Sequence, residues 1–103
     1  MIRLAKTPTP TASDFASHAA RGLPIRGNDT CSHASCSMFL HDAEDEQLNA
    51  MRALPHFRNF THAFLVQVDN ASGMALEGKN KHVDLWLFRT FNPVAAVAEV
   101  RAL

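Results

Sequence analysis

Phe60–Asp69, FTHAFLVQVD, and His82–Arg89, HVDLWLFR, are the stretches that decide the fold class. In the first, Phe60, His62, Phe64, Val66 and Val68 alternate with Thr61, Ala63, Leu65, Gln67 and Asp69, which is the two-residue period of a strand. In the second, Val83, Leu85 and Leu87 share one face while His82, Asp84, Trp86 and Phe88 share the other. Antiparallel pairing of the two would set Val68 against Val83, Val66 against Leu85 and Phe64 against Leu87, which makes one face wholly apolar. The second face is apolar only where Leu65, Trp86 and Phe88 gather, and that patch requires a cover. The connecting segment 70–81, NASGMALEGKNK, carries turn clusters on either side of Met74–Glu77, so a three-strand meander competes with a direct hairpin.

Around this pair the punctuation predicts helices. Thr11 or Ser13 as N-cap, Asp14 in the first turn, Gly22 as terminator and Pro24 beyond it predict a helix over Ala12–Arg21, buried through Phe15, Ala16 and Ala19. Asp42 and the acidic AEDE (43–46) predict a second, ended by Pro55, with Leu48, Met51 and Leu54 on one stripe. Asn92-Pro93 before VAAVAEVRAL predicts a third at the C-terminal end, packing Val94, Val97 and Ala98. Ile2–Ala5 reads as a short edge strand, Ser37–Leu40 as a short strand with no place in the sheet assigned, and residues 24–36 as a loop. The expected fold class is therefore α+β: an antiparallel sheet of three or four strands with two or three helices packed on it, in a single domain over residues 1–103.

Apolar residues make up 47 % of the 103 and charged residues 19 %, a balance that supports one core and needs no metal or disulfide to fold, so no cofactor is expected. Ten Lys and Arg against ten Asp and Glu leave no net field to gather nucleic acid or an anionic membrane. The same neutrality weakens repulsion between copies and favours a homo-oligomer. No apolar stretch approaches the roughly 18 residues of a membrane span. MIRLAKTPTPTAS lacks the apolar run of a secretory leader and the chain has two cysteines, which predicts a reducing, cytoplasmic compartment.

Histidine occurs six times and tyrosine never. Cys31, His33 and Cys36, with His41 nearby, are ligand types that zinc prefers, but Cys-x-His-x-x-Cys is not an established zinc spacing. Buried thiols beside a solvated imidazole explain the cluster more simply. The same cysteines with His33 or His41 would also suit nucleophilic chemistry if one thiolate were exposed and activated. His82 and Asp84 share a strand face beside Trp86, an arrangement that serves either acid-base chemistry or a surface ion pair.

These features predict a non-catalytic binding or interaction module acting as a homodimer. Leu65, Trp86 and Phe88, with His82 and Asp84 alongside, would meet a protein partner or a small apolar ligand. The alternative is a small enzyme using histidine with Cys or Asp, which demands that such side chains converge in a concave site. A weaker alternative is a zinc-stabilised loop at Cys31, His33, Cys36 and His41.

Overall fold

Six strands, every neighbouring pair antiparallel, form one sheet: β1 (Ile2–Ala5), β2 (Cys36–Phe39), β3 (His62–Val66), β4 (Gly73–Glu77), β5 (His82–Leu87) and β6 (Val97–Ala102), in the spatial order β4-β5-β2-β1-β3-β6. The structure is a computed structural model and describes residues 1–17, 19, 20, 22, 33–43, 48, 49, 52, 53 and 58–103. No helix among them is long and apolar enough to cross a membrane.

The α+β expectation of two or three helices on three or four strands is overturned: the complete elements among the described residues are six strands and one 3₁₀ turn, Ala12–Phe15, with Leu48, Asn49 and Arg52 in helical conformation. At that turn the predicted capping is present: the Thr11 amide donates to Asp14 Oδ2 (2.8 Å) and the Asp14 amide to the Thr11 carbonyl (3.1 Å). It stops at Ala16, which is extended (φ −71°, ψ 138°), once Phe15 has reached the sheet, its ring centroid 6.3 Å from that of Phe64. Of the expected second helix, residues 44–47, 50, 51 and 54 lie outside the described residues, Met51 and Leu54 among them. Leu48 is buried against the sheet, and the Ala53 amide donates to the Asn49 carbonyl (3.0 Å).

The expected C-terminal helix is instead strand β6. Asn92 does cap a turn, its Oδ1 accepting from the Ala95 amide (3.2 Å), and the Pro93 carbonyl accepts from Ala96 (3.2 Å). From Val97 the chain pairs with β3, Val100 opposite Phe64 and Arg101 opposite Ala63, with a bulge between Leu65 and Val66. The open edge of β3 supplies a ladder for these residues, and such long-range pairing outweighs a local helix preference.

The expected β3–β5 pairing does not form, since β2 and β1 lie between the two strands. Ile2–Ala5 is correspondingly a central strand, not an edge. The segment 70–81 turns back as β4 on β5, Met74 opposite Trp86 and Leu76 opposite Asp84. A Cβ at Gly73 would overlap the Trp86 carbonyl oxygen, so the close approach of β4 to β5 requires glycine there. The hairpin closes through Asn80 and Lys81, both left-handed (φ 58° and 64°).

The sheet buries both faces. Ala5, Cys36, Met38, Phe64, Val66, Val83 and Leu85 form one cluster, covered by Phe15. Ile2, Leu4, Phe39 and Ala63 form the other, with Leu48 packed on them. β1 and β2 share a single pair, Ile2 with Phe39. Arg3 bridges this seam, Nε donating to the Asp14 carbonyl and Nη1 to the Ser37 carbonyl, both at 2.6 Å.

Candidate functional site

The register places Ser37, His82, Asp84 and Trp86 on one face of β2 and β5, with Met74 and Leu76 of β4 beside them. On this face Met74 and Leu76 are 66 % and 62 % exposed, whereas His82, Asp84 and Trp86 are half-buried. Phe88, also exposed, follows directly after β5 and its amide donates to the Ser72 carbonyl (2.9 Å). Of the residues expected in an apolar patch, Trp86 and Phe88 thus lie together, near His82 and Asp84. Leu65 does not join them: it sits on β3, three strands from β5, packed with the Leu48 cluster. Met74 and Leu76 take its place. The sequence signal for them was an apolar pair at alternate positions between two turn clusters, which becomes decisive only once β4 is known to pair with β5.

His82 has specific partners. Its Nε2 shares a 2.7 Å hydrogen bond with Ser37 Oγ, its Nδ1 stands 3.8 Å from Asp84 Oδ1, and its ring meets that of Phe39 edge-on at 5.6 Å between centroids. Serine, imidazole and carboxylate in this order resemble a nucleophile, base and orienter. Two features oppose that chemistry. The carboxylate is beyond hydrogen-bond length from the imidazole. The Leu40 amide donates to Lys81 O (2.8 Å), and the alternation of an antiparallel ladder then turns the amides of Cys36 and Met38 into the β2–β5 pairing, leaving neither beside Ser37 to stabilise an oxyanion.

Of the residues expected around a metal or a reactive thiol, Cys36, His33 and His41 are among the described residues. Cys36 is a free thiol buried in the apolar core, its Sγ donating to Met38 Sδ (3.8 Å), and burial pushes its pKa up while the Arg3 charge pulls it down less. His41 is exposed, His33 is half-buried with its carbonyl accepting from the Ala19 amide, and Cys31 lies outside the described residues. Among the described residues no three His, Cys, Asp or Glu side chains gather as metal ligands.

A separate hollow of about 410 Å³, lined by Gln67, Asp69, Ser72, Thr90, Phe91 and Asn92 among others, opens where the β3–β4 and β5–β6 connections meet. Its polar atoms hold turns: Asp69 Oδ1 accepts from the Ala71 amide (2.9 Å) and Ser72 Oγ (3.2 Å), as Asn92 Oδ1 does from Ala95. What stands apart among the described residues is an apolar strand surface on β4 and β5. No protein-family model, curated protein or solved structure matches the chain.

Proposed function

We propose that the chain is a non-catalytic interaction module that works as a homo-oligomer, with the β4–β5 face as its contact surface. The observation that carries this reading is the pair Met74 and Leu76, about two-thirds exposed and adjacent on the outermost strand beside Trp86. Apolar surface removed from water contributes roughly 25 cal/mol per Å², so covering these side chains is a driving force for association. A net charge of zero leaves no long-range repulsion between copies to oppose it.

The test is sedimentation equilibrium across the micromolar range on the unaltered chain and on Leu76→Glu. The expected result is a reversible dimer that the carboxylate dissociates, with the emission of Trp86, the single tryptophan, shifting to the blue as the dimer forms. A monomer throughout the range, or a dimer indifferent to Leu76→Glu, overturns the reading.

A further inference from the structure

We infer that the contact is made by strand addition: β4 pairs antiparallel with β4 of a second copy about a two-fold axis at Ala75, joining two six-stranded sheets into one of twelve. This rests on the interaction reading above and specifies its geometry and its partner.

The hydrogen-bond parity of β4 carries the inference. The Phe88 amide donates to Ser72 O (2.9 Å) and the Gly78 amide to His82 O (2.8 Å), so even-numbered residues of this ladder bond inward to β5. By the alternation of antiparallel pairs, Gly73, Ala75 and Glu77 turn their amides and carbonyls outward from the sheet edge. With Ala75 on the axis, Ala75 exchanges hydrogen bonds with its counterpart, and Gly73 and Glu77 exchange with each other. All three outward residues are then satisfied within the strand. Moving the axis by one residue either way leaves one of them opposite a position outside β4.

The side chains fit the same register. Met74 falls opposite Leu76 of the second copy, and Leu76 opposite its Met74, in the non-bonded pairs where side chains approach most closely. The two exposed apolar residues of each copy thereby cover each other, flanked by Trp86 on both sides. Glu77, the one charge in the strand, faces a glycine, so no like charges meet.

The opposite edge, β6, lacks these properties. It carries Glu99 and Arg101, ion-paired at 3.5 Å, and its pairing with β3 is broken by a bulge, two devices that blunt an edge against addition. β4 has no proline, no bulge and no charge before its last residue.

Residue 75 opposite itself gives a decisive experiment. Ala75→Glu and Ala75→Lys each place like charges across the axis, and each is expected to weaken self-association roughly tenfold or more while an equimolar mixture restores a heterodimer. In the unaltered chain, amide exchange at Gly73, Ala75 and Glu77 is expected to slow as concentration rises, with β6 amides unaffected. This second readout needs no variant to fold. If both charged variants dimerise like the unaltered chain while Leu76→Glu does not, or if the three amides keep their exchange rates in the dimer, strand addition is wrong and the contact face stands. If the unaltered chain is monomeric, both fall.

Discussion

Ser37 Oγ and His82 Nε2 lie 2.7 Å apart on a diagonal between β2 and β5, a side-chain hydrogen bond across the ladder that is supported by the Phe39 ring. As a structural bond it contributes about 1 kcal/mol, so Ser37→Ala should destabilise by that amount, with a coupling of similar size to His82→Ala in a double-mutant cycle read by urea unfolding. Ser37 should stay unlabelled by a fluorophosphonate. Covalent labelling of Ser37 that His82→Ala abolishes would restore the enzyme reading.

Phe64 is fully buried at the centre of one cluster, touched by Phe15 from the 3₁₀ turn. Phe64→Ala should cost about 3–5 kcal/mol, a large part of the stability of a domain this size. Phe64→Leu should recover much of it. Thermal unfolding of the two variants checks the order.

The Cys36 thiol, buried and with its pKa raised by desolvation, should resist iodoacetamide in the native protein and react after denaturation, as peptide mapping would show. The sign with pH follows. The unfolded chain loses this proton at the ordinary thiol pKa and the native chain only above it. Over that alkaline window the native state binds the extra proton and stability falls as pH rises. Cys36→Ala should lack this component of the decline, measured as the alkaline slope of the unfolding free energy.

Lys81 holds a left-handed backbone (φ 64°) at the β4–β5 turn, which a branched side chain adopts poorly. Lys81→Val should therefore be less stable than Lys81→Gly by about 1 kcal/mol or more in urea unfolding. Both lose the exposed ion pair with Asp42 (3.2 Å), so the difference isolates the backbone.

The sequence located what depends on near neighbours. The alternation in FTHAFLVQVD and HVDLWLFR marks strands, and Phe64, Val66, Val83 and Leu85 do share one buried cluster. It could not supply the partners, because a period of two says which residues share a face and not which strand lies alongside. One strand was hidden and one left open: VAAVAEVRAL has the spacing and cap of a helix and becomes a strand only because β3 has an open edge, while Met74–Glu77 was one of two competing layouts that only the pairing with β5 decides. The candidate surface inherited that gap. Trp86 was visible as an aromatic on a polar strand face, Met74 and Leu76 waited on the hairpin, and Ser37 had no signal at all until the β2–β5 register brought it to His82.

The central place of β1 bears on how the chain is made. Of the two neighbours of residues 2–5, one is β2 and the other is β3, which leaves the ribosome some sixty residues later. At synthesis rates of about 5–20 residues per second, one side of this strand stays open for roughly 3–12 seconds. Until then no half of the molecule has a closed sheet, and β1 presents bare amides to any passing strand. Synthesis of residues 6–61 is thus the interval in which this sheet most needs a chaperone, and slowing translation there should lower the soluble yield.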